Sequence, residues 1–123
     1  MNVVWVEVPV KDIHRATRFY GALFDQELAS VEYDGRRFAT IEVADGQVGL
    51  SLNQFEGFDP SPHGPLVYLN AGARFDSMLS RIEAEGGKVV IPRSPMSETT
   101  VFATFRDSEG NTLALYAELS ELT

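Results

Sequence analysis

The fold follows from the stretch VFATFRDSEGNTLALY, Val101–Tyr116, because the chain carries a similar stretch earlier, RFATIEVADGQVGLSL, Arg37–Leu52. With an offset of 64 residues and no gap, the tripeptide Phe-Ala-Thr that starts at Phe38 falls on the one that starts at Phe102. Each stretch alternates residue types on both sides of a turn that contains Asp and Gly, which is typical of a β-hairpin. Two such hairpins indicate two copies of one supersecondary unit.

The same succession of elements precedes each hairpin. In the first half a strand, an amphipathic helix and a second strand are predicted at Val3–Val8, Asp12–Phe24 and Glu27–Tyr33. In the second half the same three elements are predicted at Leu66–Leu69, Ala73–Glu85 and Lys88–Ile91. Both helices are indicated by apolar side chains at helical spacing, and Asp12 is placed to cap the first. The sequence therefore predicts an α+β fold of two βαβββ modules.

The modules are expected to form a single domain, because 123 residues support one substantial core but hardly two. The first module spans about residues 1–53 and the second about residues 65–119, with a linker rich in Pro and Gly at residues 54–64. A second irregular stretch, Pro92–Glu98, is predicted to be a loop. It is either a lid over a ligand site, with Met96 reaching in, or a passive connector.

Composition excludes several functional classes. The net charge of −8, with scattered basic residues, argues against a nucleic-acid partner. No apolar run approaches the about 20 residues that a membrane span requires. Cysteine is absent, which removes disulfides and cysteine nucleophiles and fits a cytoplasmic protein. The acidic balance leaves room for a neutral or cationic small ligand.

Strand alternation separates a face that meets the helices from a face turned away from them. Eleven residues are predicted on the face away from the helices: Trp5, Glu7, Phe38, Thr40, Glu42, Leu50, Phe102, Thr104, Arg106, Ala114 and Tyr116. Nine of them are the candidate ligand-binding residues, and Glu7 is the candidate for chemistry. Glu42 is similar to Glu7 but lies nearer a strand end, where we expect it to be solvated.

The segments VEVPVKDIHRATRFYGALF and FRDSEGNTLALY resemble the vicinal oxygen chelate superfamily. This superfamily includes glyoxalase I (lactoylglutathione lyase), extradiol dioxygenases, and bleomycin- and fosfomycin-resistance proteins. The resemblance runs from Val3 to about Leu119, and its most specific parts are Pro9–Tyr20 and Asp107–Asn111. It implies that eight strands curl into one mixed sheet, a cup with the helices outside and the ligand inside. It also implies a homodimer.

Metal-dependent members of this family hold a divalent ion at up to four positions, on the first and last strands of each module. The resemblance maps these positions onto Trp5, Pro65, Leu50 and Ala114. An indole, a proline and aliphatic side chains offer no lone pair to Ni²⁺, Zn²⁺, Fe²⁺ or Mn²⁺. We therefore expect no metal and no cofactor, and none of the metal-dependent chemistry of the family.

Two interpretations of the site residues stay open. Glu7 lies among apolar neighbours such as Trp5, which suits a general acid/base or an anchor for a ligand cation. Alternatively, Glu7 is a structural partner of Arg106, whose planar side chain is also suited to an anionic ligand. The aromatic residues on the face away from the helices either stack against a flat ligand or fill an ordinary core. They are Trp5, Phe38, Phe102 and Tyr116.

Three functional hypotheses follow. In the first, the chain binds a small organic molecule without a metal, as drug-sequestering relatives do. In the second, it is a metal-independent enzyme, lyase- or epimerase-like, that uses Glu7 as acid/base on a substrate carrying a carbonyl. In the third, the chain is a non-catalytic module that binds a protein partner.

Overall fold

The structure, a computed structural model, describes residues 1–122. The chain forms two compact units, which divide between Pro60 and Ser61. Within the described residues, no helix has the length and apolar character needed to cross a membrane.

The first unit contains one helix and a four-stranded sheet. Its elements are β1 (Trp5–Pro9), α1 (Ile13–Phe24), β2 (Val31–Tyr33), β3 (Arg36–Ile41) and β4 (Gly49–Gln54). The strand order is β1-β4-β3-β2, in which β1 runs parallel to β4 and the other neighbours are antiparallel. Helix α1 packs on β3 and β4, so one face of the sheet carries the core and the other face carries no helix.

Helix α1 begins where the sequence predicts. The Asp12 carboxylate accepts hydrogen bonds from the backbone N–H groups of His14 and Arg15, at 3.0 and 3.1 Å. The bond from Arg15 is the main cause that holds the pKa of Asp12 below its usual value. The N–H of Ile13 donates to the side-chain oxygen of Gln54 at 2.8 Å, which ties the helix start to the end of β4. The apolar stripe of the helix is buried in full: Ile13, Ala16, Phe19, Tyr20 and Leu23.

The second unit repeats this arrangement. Its elements are β5 (Tyr68–Asn70), α2 (Phe75–Ala84), β6 (Lys88–Pro95), β7 (Thr100–Arg106) and β8 (Thr112–Glu118). The strand order β5-β8-β7-β6 is equivalent to that of the first unit, with β5 parallel to β8. Helix α2 packs on β6 and β8. The predicted α+β class with two βαβββ modules is thus confirmed, and the eight strands belong to two four-stranded sheets.

The predicted loop Pro92–Glu98 is wrong in its first half. Strand β6 continues to Pro95, and Ser94 and Pro95 pair with Phe102 and Val101 of β7. Two register shifts interrupt the pairing between Val89 and Ser94, so the prolines fit a strand that lies at the sheet edge, where a missing N–H is tolerated. The remaining residues form a hairpin turn, in which the N–H of Met96 donates to the carbonyl of Thr100 at 3.0 Å. The alternatives of lid and passive connector therefore concern only the hairpin turn that contains Met96.

Candidate ligand-binding faces

Strand register defines which side chains share the face of the first sheet that α1 leaves free. Trp5 pairs with Gly49, Glu7 pairs with Ser51, and Ser51 pairs with Thr40 of β3. Because paired residues point to the same side of a sheet, these positions lie together. We call this surface the first helix-free face: Trp5, Glu7, Phe38, Thr40, Gly49, Ser51 and Asn53.

Trp5 is held in a defined position on this face. Its indole N–H donates to the Ser51 hydroxyl at 3.1 Å, and the amide of Asn53 donates to the same hydroxyl at 2.9 Å. The ring lies directly over Gly49, since a Cβ there would come within 2.2 Å of the ring carbon Cζ3. Ser51 and Asn53 are buried, whereas Trp5 remains 46% exposed. The indole is therefore fixed on one side and open on the other.

Glu7 lies two residues beyond Trp5 on the same strand and the same face. Its side chain is exposed and makes no hydrogen bond or ion pair within residues 1–60. The apolar side chains of the first unit therefore do not enclose Glu7 as expected. A free carboxylate in this position is available to a ligand.

An open pocket of about 410 Å³ lies at the β2–β3 side of the first sheet. Phe38 and Thr40 contribute to its wall, together with Val31 and the carboxyl-bearing Glu27 and Glu42. The backbone of Glu42 is fixed by two hydrogen bonds with the side chain of Gln26, at 3.1 and 3.2 Å. The sequence-predicted residues Phe38, Thr40 and Glu42 thus line one concave surface.

The second sheet has an equivalent helix-free face. Phe102 pairs with Tyr116 and Thr104 pairs with Ala114, so these four predicted residues share one side, and Arg106 alternates onto it from β7. Thr104 is buried, and its hydroxyl accepts a hydrogen bond from the N–H of Ile91 at 3.1 Å, which secures the irregular strand β6. We call this surface the second helix-free face: Tyr68, Asn70, Phe102, Thr104, Arg106, Thr112, Ala114 and Tyr116.

The face predicted for Leu50 is wrong. Leu50 pairs with Val6 and Ile41, is buried, and alternates with Gly49 and Ser51, so it points to the helix side. The reason is a difference in hairpin length. Ala39 pairs with Leu52 across 13 positions, whereas Ala103 pairs with Leu115 across 12. The offset of 64 therefore slips by one residue after the turn, and a slip of one residue reverses the face of a strand.

The residues present do not fit a divalent transition metal. Pro65 precedes β5 and lies outside any strand, and Leu50 points to the helix side. When the slip of one residue is corrected, Gly49 and Ser51 are the neighbours of Leu50 that point to the helix-free side. Gly49 has no side chain, and the hydroxyl of Ser51 already accepts two hydrogen bonds. Among residues 1–122 no group of three or more His, Cys, Asp or Glu side chains is placed to hold a metal ion. A single carboxylate, Glu7, remains, which is too few donors for Ni²⁺, Zn²⁺ or Fe²⁺.

Three residues of the first helix-free face and three of the second are not among the eleven predicted residues. These are Gly49, Ser51, Asn53, Tyr68, Asn70 and Thr112. A signal for β4 was present, because Gly49 and Ser51 are the small residues that alternate with Leu50 and Leu52. Small residues within a strand often mark the close approach of another group, here the indole of Trp5.

The two motifs that carry the family resemblance have structural roles. In the turn between β7 and β8, the buried carboxylate of Asp107 accepts hydrogen bonds from the N–H groups of Glu109 and Asn111, at 2.8 and 2.9 Å. The Asn111 amide donates to Asp107 at 3.0 Å, and its oxygen accepts from the N–H of Ser61 at 3.1 Å. The other motif, Pro9–Tyr20, supplies the cap and the buried stripe of α1. These contacts stabilise the turn between β7 and β8 and the packing of α1.

Comparison with known proteins agrees with this fold. A family model described as the glyoxalase/bleomycin resistance protein/dioxygenase superfamily matches residues 2–115. No curated protein matches the chain.

Solved structures show the same fold at low sequence identity. A glyoxalase/bleomycin resistance protein from Albidiferax ferrireducens T118 is 18% identical, with a TM-score of 0.71 over 93% of this chain and 96% of that chain. A glyoxalase/bleomycin resistance protein/dioxygenase family enzyme from Burkholderia phytofirmans PsJN is 14% identical, with a TM-score of 0.71 over 96% and 99%.

A third similar structure is a mutant of the fosfomycin resistance protein FosX from Listeria monocytogenes, complexed with Mn(II) and 1S,2S-dihydroxypropylphosphonic acid. It is 14% identical, with a TM-score of 0.70 over 95% of this chain and 92% of that chain. Since the family model covers nearly the whole sequence, the chain belongs to the glyoxalase/bleomycin resistance protein/dioxygenase superfamily.

Proposed function

We propose that this chain is a metal-independent member of its superfamily that binds a small organic molecule on a helix-free sheet face. The observation that carries the proposal is the position of Trp5. At the first-strand position that the family resemblance assigns to a metal ligand, the indole of Trp5 packs against Gly49, and the residue remains 46% exposed. An aromatic ring that is fixed on one side and open on the other is suited to ligand contact and unsuited to metal binding.

The first sheet also supplies a concave surface of suitable size. The pocket of about 410 Å³ lined by Phe38 and Thr40 falls within the range of small-molecule sites, about 300–1,000 Å³. On the second helix-free face, Tyr116 and Phe102 offer aromatic surface, and Arg106 offers an exposed positive charge. These features support binding of an organic molecule without a metal.

The test is a thermal-melting screen of purified protein against small aromatic, cationic, anionic and carbonyl-bearing molecules. A ligand at about one hundred times its Kd adds about 2.7 kcal/mol of stability, which raises the melting temperature by several degrees. Binding should weaken in Trp5→Ala, and Leu119→Ala serves as a control, because Leu119 is an exposed apolar residue that follows β8 and lies in neither sheet. A chain that no such molecule stabilises contradicts the proposal and favours the protein-interaction hypothesis.

A second candidate function is acid/base catalysis by Glu7. The observation that favours it is the exposed carboxylate, which has no partner in its own unit and shares a face with Trp5. The substrate would carry a carbonyl, and the reaction would be lyase- or epimerase-like, with Glu7 moving a proton. Turnover that Glu7→Gln abolishes while ligand binding persists supports this function, and binding without turnover contradicts it.

Two further expectations belong to the proposal. A cytoplasmic location is supported by the absence of cysteine in the whole sequence. A homodimer is supported by the exposed apolar residues Val31 and Tyr33 on the edge strand β2, at 51% and 64% exposure. Light scattering on the eluted protein checks the dimer, and a mass of 13.6 kDa for the particle contradicts it.

A further inference from the structure

We infer that the first helix-free face recognises a planar aromatic cation, with Trp5 as the stacking platform and Glu7 as the counter-charge. The inference rests on the proposed function and adds the chemical class of the ligand. Its basis is the combination of an immobilised indole with a free carboxylate two residues away on the same strand face.

The indole of Trp5 is preorganised for stacking. One side of the ring lies on Gly49, and the N–H is taken by Ser51, so the ring has one remaining surface and no remaining donor. A platform that is already fixed loses little side-chain freedom when a ligand binds. Indole is also the most favourable of the protein rings for a cation placed over its face.

Charge on the first helix-free face selects for a cation. Glu7 lies two positions along β1 from Trp5, about 7 Å between Cα atoms in an extended strand, and its carboxylate is exposed. Arg36 is a basic residue whose position in β3, four residues before Thr40, points its side chain to the same face. Its guanidinium carbon lies 4.4 Å from the centre of the Phe55 ring, so this charge is directed to another aromatic group. The chain as a whole carries a net charge of −8, which also favours a cation.

The polar residues beside Trp5 make a hydrogen-bonding ligand a poorer fit. Ser51 and Asn53 are 3% exposed each, and the amide of Asn53 donates to the carbonyl and the hydroxyl of Ser51. Polar groups that are buried and already hydrogen-bonded to each other are not available to form hydrogen bonds with a polyol or a phosphate. Next to Ser51 and Asn53, the ring surface of Trp5 and the negative charge of Glu7 remain accessible to a ligand, and together they match a flat, positively charged ring system.

The test uses the fluorescence of Trp5, which is the single tryptophan of the chain. Wild-type protein at pH 8 is titrated with N-methylquinolinium, with neutral quinoline and with the anion 2-naphthoate. The cation should quench the fluorescence saturably and bind at least about fivefold more tightly than quinoline, and 2-naphthoate should bind more weakly still. Glu7→Gln should reduce this preference by at least about threefold, and the preference that remains is due to the indole.

A matched control separates the effect of Glu7 from that of overall charge. Glu32→Gln removes one carboxylate from the opposite face of the same sheet, where Glu32 pairs with Arg37 at 3.6 Å. This variant should keep the preference of the wild type for the cation. Trp5→Phe retains an aromatic ring and is measured by calorimetry, with circular dichroism as the check on folding. It should weaken binding of the cation more than binding of quinoline.

The outcomes distinguish this inference from the proposed function. Equal binding of the cation and quinoline, or a preference for the cation that Glu7→Gln leaves undiminished, overturns the cation inference. If 2-naphthoate or other anionic or neutral compounds bind and the cation does not, the inference fails while the proposed function stands. If none of these probes binds and the thermal-melting screen also finds no ligand, both fail together.

Discussion

The substitution Gly49→Ala tests the central contact of the first helix-free face. A Cβ at this position would meet three indole carbons of Trp5 at 2.2, 2.6 and 3.0 Å, which no real contact tolerates. The backbone of Gly49 is not in the left-handed region, so the substitution introduces no conformational strain of its own. Any cost must therefore come from the displaced ring.

The magnitude follows from what the ring loses. Overpacking costs about 1–3 kcal/mol in a filled site, and the hydrogen bond from Trp5 to Ser51 is worth about 1 kcal/mol. Because Trp5 is 46% exposed, the ring can swing outward without distortion of the core. We expect a loss of about 1–3 kcal/mol in the free energy of unfolding, or about 4–12 °C in the melting temperature.

A double-mutant cycle measures this contact. Urea unfolding is followed by far-ultraviolet circular dichroism for the wild type, Gly49→Ala, Trp5→Ala and the double variant. In the Trp5→Ala background, Gly49→Ala should cost nothing or stabilise slightly, because alanine is favoured over glycine inside a strand. The reasoning is refuted if Gly49→Ala costs the same amount in both backgrounds.

Three further predictions concern the scaffold around the faces. Asn111→Ala should lower the free energy of unfolding by about 2–3 kcal/mol in urea titrations, because it removes the amide bonded to the buried Asp107. Thr104→Val should cost about 1–2 kcal/mol in the same assay, because the N–H of Ile91 loses its acceptor. The lowered pKa of Asp12 means that its cap stabilises the fold above the unfolded value of 3.8. Thermal melts of wild type and Asp12→Ala should therefore differ at pH 7 and converge as pH falls through the native pKa.

Each of these predictions has a result that contradicts it. If Asn111→Ala leaves the free energy of unfolding unchanged, the turn of Asp107 does not hold the β7–β8 hairpin. If Thr104→Val leaves it unchanged, the Ile91 N–H is in contact with solvent. For the helix cap, Asp12→Asn is the control, because it keeps an acceptor oxygen and removes the charge. A gap between Asp12→Ala and the wild type that persists far below pH 3.8 would assign the effect to something other than the carboxylate.

The fold was predictable because its signals are local. Strand alternation, the helical stripe of α1 and the Asp12 cap act within a few residues of each other, and the repeat shows that they occur twice. Strand β6 was not fully predictable, because Pro92 and Pro95 look like loop residues. They are accommodated by register shifts at a sheet edge, which the sequence does not display.

The side of the sheet that each candidate residue occupies was largely predictable, whereas its contacts were not. Nine of the eleven predicted residues lie in strands and on a helix-free face. Glu42 follows β3 and lines the adjoining pocket. The prediction for Leu50 failed because the two hairpins differ in length by one residue. The packing of Trp5 on Gly49 depends on the pairing of β1 with β4, which are far apart in sequence. Long-range register of this kind is what single-sequence reasoning lacks.

The most direct test of metal-independent binding is a melting series on protein stripped with EDTA, alone and with Ni²⁺, Zn²⁺, Mn²⁺ or Fe²⁺. A metal at about one hundred times its Kd would add about 2.7 kcal/mol, which for a domain of this size is several degrees. We predict that none of the four ions changes the melting temperature by more than about 1 °C. A rise of several degrees that Glu7→Gln removes would contradict the account, because it would show that the first helix-free face assembles a metal site.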